Sequence, residues 1–172
     1  MSDESSIAGR VPPADTDAEA AVLAAILLDQ NAILKVRSIL PQPKMLYSDA
    51  NARILEAAYD LADDRSPVDI QTVASLLRSR ETNFGSMLNQ IGGPAYLVQL
   101  VNCTPSVANV AAHAKTVYEK WRVRQLIGTC QRIAAEGYGD IGDTDDFLDG
   151  ANASVRAVCA TGSDSTGSNI DV

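Results

Sequence analysis

The chain has 172 residues, of which 46% are hydrophobic and 21% are charged, and its formal net charge at pH 7 is −8. This length suits one domain with short tails, and the apolar content is sufficient for a core. The acidity argues against a dedicated nucleic-acid-binding protein, because phosphate binding needs clustered Lys and Arg. Residues 106–136 form the one mildly basic stretch, and a solvated helix face is the favoured explanation for it. We therefore expect contact with DNA to be weak or indirect.

The cysteines exclude two further classes of protein. Cys103, Cys130 and Cys159 are widely spaced, and His113 is the only histidine, so neither a zinc-binding pattern nor a disulfide framework is present. Reduced thiols in the cytoplasm fit best. The N-terminus has no basic segment followed by an apolar one, and no apolar run is long enough for a membrane span.

Low aromatic content and frequent Ala and Leu favour packed helices over sheet. Residues 1–14 are polar and predict a flexible arm. A first helix begins near Asp15, where Thr16-x-x-Glu19 has the form of a capping box. Asn31 is a candidate cap for a second helix, which Pro41 and Pro43 end.

The next segments continue the helical pattern. A third helix is predicted from about Ser48 to Leu61, and Asp69 is expected to cap a fourth. Residues 82–91 predict a short, weaker helix that Gly92-Gly93 stops, and Pro94 opens the helix that follows. Residues 15–103 are thus interpreted as a helical head of about six helices.

A different pattern follows the head. Residues 106–136 contain no proline and predict one helix that spans about 45 Å, more than a small head can cover. Residues 137–143 are a glycine-rich turn, and residues 144–159 predict a second helix. Residues 104–160 are therefore interpreted as a two-helix antiparallel hairpin, and residues 161–172 as a linker. The predicted fold class is all-α.

The long helix provides a candidate surface for self-association. Its apolar residues recur at three- and four-residue steps, and one short partner helix cannot cover them fully. An exposed apolar stripe of this length usually marks an interface, which for identical chains is most often two-fold. The residues assigned to this surface are Val110, Ala114, Val117 and Trp121.

No catalytic or cofactor site is apparent in the sequence. The pattern G-x-x-x-x-G-K-[ST] is absent, so there is no P-loop for a nucleotide phosphate. Asp145, Asp146 and Asp149 fall at a helix start, where acids favour the helix dipole, and they are not assigned to a metal. His113 and Cys130 are assigned to packing. We expect this chain by itself to be neither an enzyme nor a metal-binding protein.

Several blocks in order resemble the N-terminal domain of the DnaB family of bacterial replicative DNA helicases. The resemblance covers about residues 11–158 and includes a helical head and hairpin. Two departures are Asn51, where the family usually has a histidine, and His113, where a tyrosine is frequent. The blocks are PPADTDAEAAVLAAILLD at 12–29, LYSDANARI at 46–54, SPVDIQTV at 66–73, GGPAYL at 92–97, TPSVAN at 104–109 and RQLI at 124–127.

The resemblance implies one domain of a hexameric, ATP-dependent DNA-unwinding enzyme, whose ATP and Mg²⁺ would be bound by a separate RecA-like domain. It implies that hairpins pair between copies into a collar, and that primase docks there, with a helicase loader as a further partner. The residues it assigns to primase binding are Tyr96, Ile127 and Ile133. Ile127 and Ile133 are six residues apart and do not share one helix ridge, so one could face a paired copy while the other faces primase. The alternative is a stand-alone helical adaptor that associates with a helicase ring.

Overall fold

The structure is a computed structural model that describes residues 10–102 and 109–160, and it confirms the all-α class. Predictions for residues 1–9 of the arm, residues 103–108 and the linker at 161–172 lie outside the described residues. A 3₁₀ helix spans Pro43–Met45, and two very short strands pair antiparallel, β1 (Glu81–Thr82) and β2 (Gly85–Ser86). The helices are α1 (Thr16–Leu28), α2 (Ala32–Ile39), α3 (Asp49–Asp63), α4 (Ile70–Ser79), α5 (Met87–Gln90), α6 (Gly93–Asn102), α7 (Val110–Gly137) and α8 (Thr144–Ala160).

The described chain forms two compact units. Of the described residues, the head comprises 14–102 and 109–121, and the hairpin unit comprises 10–13 together with 122–160. The sequence-based boundary at 103/104 differs from this division, because the first three turns of α7 pack into the core of the head. The hairpin unit therefore begins within α7, after Trp121.

Helix α1 lies at the centre of the head, with nine of its 13 residues buried. The predicted capping box at its start does not form. Asp15 is the N-cap instead, and its Oδ1 accepts the Ala18 N–H at 2.9 Å. The Glu19 side chain is only 1% exposed and bonds to the start of α3 rather than to its own helix. Glu19, which the sequence analysis assigned to a local cap, thus makes a tertiary contact between α1 and the start of α3.

Tyr59 joins α3 to the end of α2. Its hydroxyl donates a 2.6 Å hydrogen bond to the Leu40 carbonyl, and the Arg37 guanidinium lies 4.7 Å from the centre of its ring. Arg37 also pairs in a bidentate manner with Asp63, at 2.7 Å for the Nη2–Oδ2 contact. Burial raises the pKa of Tyr59 well above its usual range. Because the Tyr59 ring is buried and its hydroxyl is bonded to a backbone carbonyl, this side chain fixes the spacing of α2 and α3.

The segment predicted as one helix over residues 82–91 is a tight turn followed by a single helical turn. Gly85 has φ +93°, a conformation that side-chain-bearing residues rarely adopt. The Thr82 hydroxyl donates to the Gly85 carbonyl at 2.9 Å and accepts the Phe84 N–H at 3.2 Å. The apolar residues Met87, Leu88 and Ile91 suggested a helix, but local hydrogen bonding by Thr82 favours the turn.

Helix α4 has the cap that the sequence predicted. Asp69 Oδ1 accepts the N–H groups of Gln71 and Thr72 at 2.8 and 2.9 Å, and the Thr72 hydroxyl accepts the Asp69 N–H at 3.0 Å. The hydrogen bonds that the Asp69 carboxylate accepts hold its pKa below the usual range. The bond from the Thr72 N–H has the largest effect. The carboxylate therefore stabilises the helix start in its charged form.

We predict that Asp69→Ala lowers the free energy of unfolding by about 1 kcal/mol at pH 7. Because the pKa of Asp69 is lower in the folded state, its stabilisation is present above the unfolded pKa of about 4 and is lost as the pH falls through the folded value. Urea denaturation from pH 7 to pH 2.5 should show the deficit shrinking in acid. Asp64→Ala, at an exposed carboxylate, is the control, and an equal deficit in both variants would contradict the role of the cap.

Candidate interaction surfaces on the helical hairpin

The hairpin unit is built from the end of α7 and from α8, which run antiparallel. A Cβ added at Gly137 would lie 3.4 Å from the Phe147 ring, so the two helices are close at the turn. At the other end, Arg122 Nη2 donates to the Cys159 carbonyl at 3.2 Å. These two contacts set the register of the hairpin.

Local sequence chemistry explains the turn between the helices. Gly142 has φ +65°, and its N–H donates to Asp140 Oδ1 at 3.2 Å. Asp143 then caps α8, since its Oδ1 accepts the N–H groups of Asp145 and Asp146 at 2.9 and 3.1 Å. Asp140 and Asp143 thus serve backbone N–H groups at the turn and at the start of α8.

The face where α7 and α8 meet, which we call the seam, is only half-buried. No side chain of α8 is fully buried, and the buried residues of α7 all precede Trp121. Two helices alone cannot enclose an apolar core, so part of this face stays in contact with water. Half-buried residues recur at helical spacing on both helices, and we assign them to the seam on that basis: Leu126, Thr129 and Ile133 on α7 and Phe147, Ala151, Ser154, Val155 and Val158 on α8.

A second apolar stripe lies on the exposed side of α7. Val123, Ile127, Cys130 and Ala134 follow at steps of four, three and four residues, and all are exposed, Val123 at 46% and Ile127 at 37%. This outer stripe contains Ile127, which the sequence analysis selected, and also Val123, a residue that the sequence analysis did not select.

The hairpin has an uneven charge distribution along its length. Arg122, Arg124 and Arg156 lie toward the open end, whereas the six acids of residues 136–149 lie around the turn. Arg132 and Glu136 form an i,i+4 ion pair at 2.9 Å on the surface of α7. Tyr138 is 94% exposed at this acidic turn. Approaching nucleic acid would meet net negative charge there, which fits the expectation of weak DNA contact.

The residues predicted for self-association lie in the head. Val110, Ala114 and Val117 are buried in its core. Trp121 is partly buried against the same core, with its ring 5.6 Å from that of Tyr118. The premise that one short helix leaves this stripe uncovered does not hold for the first three residues, because the head itself covers them.

The three residues assigned to primase binding occupy different environments. Tyr96 belongs to the head, whereas Ile127 and Ile133 belong to the hairpin unit. Ile127 is on the outer stripe, and Ile133 is half-buried in the seam. Ile127 and Ile133 thus lie on different faces of α7.

Tyr96 takes part in a buried polar network that the sequence analysis missed. Its hydroxyl donates to Asn51 Oδ1 at 2.7 Å, and Asn51 Nδ2 donates to Glu19 Oε2 at 3.0 Å. The Glu19 carboxylate also accepts the N–H groups of Tyr47 and Ser48. Several donors satisfy the buried carboxylate, as burial of a charged group requires. The only sequence signal for this network was an acidic residue, Glu19, within the mostly apolar sequence of α1.

The pKa of Tyr96 is raised, first by burial and second by the nearby Glu19 carboxylate. The hydroxyl therefore remains a hydrogen-bond donor throughout the neutral range. Tyr96 links α6 to α3 and α1 through Asn51. Its role in these contacts is to position α6 within the head.

The described residues also bear on metals and membranes. Within residues 10–102 and 109–160, no three His, Cys, Asp or Glu side chains form a group that could hold a metal ion. In the same part of the chain, every helix is too short or too polar to cross a bilayer.

Comparisons with known proteins place this architecture in the class of helicase N-terminal domains. The crystal structure of the N-terminal domain of DnaB helicase from Mycobacterium tuberculosis is similar at 33% identity with a TM-score of 0.77, covering 86% of this chain and 99% of that one. The N-terminal domain of DnaB helicase from Helicobacter pylori, described with its interactions with primase, shares the fold at 22% identity and a TM-score of 0.58, covering 72% of this chain and 91% of that one.

The family model for the DnaB-like helicase N terminal domain matches residues 11–119. The chain belongs to this family. It is 38% identical over 149 residues to the replicative DNA helicase DnaB of Geobacillus stearothermophilus, covering 87% of this chain and 32% of that protein. It is 34% identical over 161 residues to the replicative DNA helicase DnaC of Bacillus subtilis, covering 94% of this chain and 34% of that protein. The chain thus spans about a third of the length of these relatives.

We predict that Tyr96→Phe lowers the free energy of unfolding of the head by about 1 kcal/mol, because Asn51 loses a hydrogen-bond donor. Chemical denaturation followed by circular dichroism measures this change. Tyr138→Phe is the matched control, since it removes a hydroxyl from a side chain that is 94% exposed. Equal stability of the two variants would show that the Tyr96 hydroxyl does not position α6.

Proposed function

We propose that this chain is the assembly and docking domain of a hexameric replicative DNA helicase, forming part of a collar through which subunits associate and primase binds. The observation that supports this best is the half-buried seam, because a hairpin with no fully buried side chain on α8 gains a core only from another surface. The family supplies the enzymatic context. In this proposal ATP and Mg²⁺ act in a motor domain beyond these 172 residues, and the domain itself turns over no nucleotide.

A second copy of the hairpin is the occupant proposed for the seam. Seam residues from two hairpins would form a four-helix arrangement in which the side chains are enclosed from both sides. Such pairing is isologous, so each copy contributes the same face. Three such pairs would make the hexameric collar. This assignment replaces the α7 residues 110–117, which already pack within the head.

Primase is the partner proposed for the outer stripe. Ile127 and Val123 present exposed aliphatic side chains four residues apart, and pairing through the seam leaves them free. Docking surfaces commonly depend on a few apolar anchors, with charged residues providing orientation. Tyr96 and Ile133 contribute indirectly in this proposal, by positioning α6 and by completing the seam.

The alternative function is a stand-alone adaptor that joins a ring made by a longer helicase. The same surfaces would serve it, so the two functions differ in whether the coding sequence continues past Val172 into a P-loop domain. Reading the sequence downstream decides between them. A helicase loader is a further proposed partner of the assembled collar.

We predict that Ile133→Ala weakens self-association about 5- to 30-fold, because truncating a half-buried seam side chain removes about 1–2 kcal/mol of apolar contact. Sedimentation equilibrium at up to hundreds of micromolar protein measures this. Leu34→Ala is the control, since Leu34 is 73% exposed on the head and lies outside the hairpin. A strictly monomeric unmodified chain over this range, or equal association of both variants, would reject pairing through the seam.

For primase binding, we predict the converse result at Ile127, namely a loss of primase affinity without a loss of self-association. Ile127→Ala should lower the affinity for the helicase-binding domain of primase by about 1 kcal/mol or more while leaving self-association and helicity unchanged. Calorimetric titration of unmodified chain, Ile127→Ala and Ile133→Ala, with mass measured in parallel, tests this. Unchanged affinity in Ile127→Ala, or a loss that always accompanies a loss of folding, would remove the outer stripe from the docking surface.

A further inference from the structure

Two arginines near the start of the hairpin unit bond to backbone carbonyls from other parts of the chain. Arg122 Nη2 donates to the carbonyl of Cys159 in the last turn of α8, at 3.2 Å. Arg124 Nη1 donates to the carbonyl of Pro13 in the arm before α1, at 2.8 Å and across 111 residues of sequence. Both bonds lie within the hairpin unit. Three separate chain segments therefore meet at residues 122–124 of α7.

We propose that Arg122 and Arg124 act together as a clasp that holds both the arm before α1 and the end of α8 against α7. The alternative source of order would be an apolar core, but the hairpin has no fully buried side chain on α8. Hydrogen bonds from a charged donor are stronger than those between neutral groups. Two such bonds therefore hold the arm and the end of α8 in place where packing is weak.

The Arg122 bond supplies what the end of α8 lacks. The last carbonyls of a helix have no partner within the helix, and a cation is favourable there. The last turn of α8 contains no basic residue, so Arg122, from α7, provides both the donor and the positive charge. Its Nε is shielded from solvent and has no hydrogen-bond partner among the described residues, which indicates that part of the guanidinium is enclosed.

The Arg124 bond explains how the arm is held. Pro12 and Pro13 have no N–H groups, so this segment cannot join a backbone ladder through its own donors. Its carbonyls are its main polar groups, and Arg124 binds that of the half-buried Pro13. A planar guanidinium holds such an acceptor in a fixed direction, which an ammonium group does not. Arg124 therefore attaches the arm to α7.

The clasp has a consequence for the seam that rests on the proposed function. The seam is closed at the turn by Phe147 against Gly137 and at the open end by Arg122. Releasing Arg122 would let the end of α8 separate from α7 and would spread the half-buried residues there. A second hairpin would then meet a distorted surface. The clasp therefore determines whether the seam can pair with a second copy.

Each half of the clasp has its own measurement in the 172-residue chain. Amide hydrogen exchange over residues 157–160 reports the end of α8, and the rate of trypsin cleavage after Arg10 reports the arm. Arg122→Met and Arg124→Met keep an unbranched apolar stem but remove all donors. Arg132→Met is the matched control on the same helix, because Arg132 pairs only with Glu136 among the bonds described for it. Measurements are made at low concentration, where self-association does not contribute.

We expect Arg122→Met to speed exchange at residues 157–160 about tenfold without changing cleavage after Arg10, and Arg124→Met to speed that cleavage without changing exchange in α8. A tenfold change corresponds to about 1.4 kcal/mol, within the range for a hydrogen bond to a charged group. Arg122→Lys should restore part of the protection, because one charged donor remains. Unchanged rates in both variants, or equal changes in Arg132→Met, would overturn the clasp.

Sedimentation of the same variants separates this inference from the proposed function. If Arg122→Met loosens α8 and also weakens self-association, both are supported. If it loosens α8 while the unmodified chain never associates, the clasp stands and pairing through the seam is rejected. If exchange is unaffected but self-association falls, the clasp is rejected and Arg122 belongs to the interface itself.

Discussion

The structure depends on the continuity of α7 across the boundary between its two units. This helix has 28 residues and is therefore about 42 Å long. Its first turns insert Val110, Ala114 and Val117 into the core of the head, and its later turns supply one half of the hairpin. An isolated pair of helices with a half-buried seam would be marginally stable. The buried first turns give α7 a fixed start from which the exposed part can propagate.

This dual use of one helix explains which features could be predicted from the sequence. Helical periodicity, proline and glycine positions and the Asp69 cap are local signals, and they located most of the helices within a few residues. The apolar stripe of α7 was also visible. The sequence did not show which surface covers that stripe, because burial within the head and burial against a second copy require the same side chains. The structure shows Val110, Ala114 and Val117 buried within the head.

Other misses have a related physical origin. Glu19 resembled a local capping residue, but its partners are the N–H groups at the start of α3 and the amide of Asn51, which lie about 30 residues away. The turn at residues 82–85 depends on hydrogen bonds of one threonine side chain, and these compete with helix formation at short range. The sequence placed Ile127 and Ile133 on different ridges but did not show which neighbours belong to the seam and which to the outer stripe, because apolar residues on adjacent faces of a helix alternate along the chain. Separating them required the position of α8.

The central place of α1 has a consequence for how the chain folds during synthesis. Most of α1 is buried, and its most extensive helix contacts are with α6, whose last residue follows the end of α1 by more than 70 residues. At about 5–20 residues per second, translation takes roughly 4–15 s to cover that distance. During this interval an alanine- and leucine-rich helix, made before α3 and α6, has no complete set of partners. Glu19 in its first turn then limits premature association, since its unpaired carboxylate keeps one face of the nascent segment hydrated until α3 arrives.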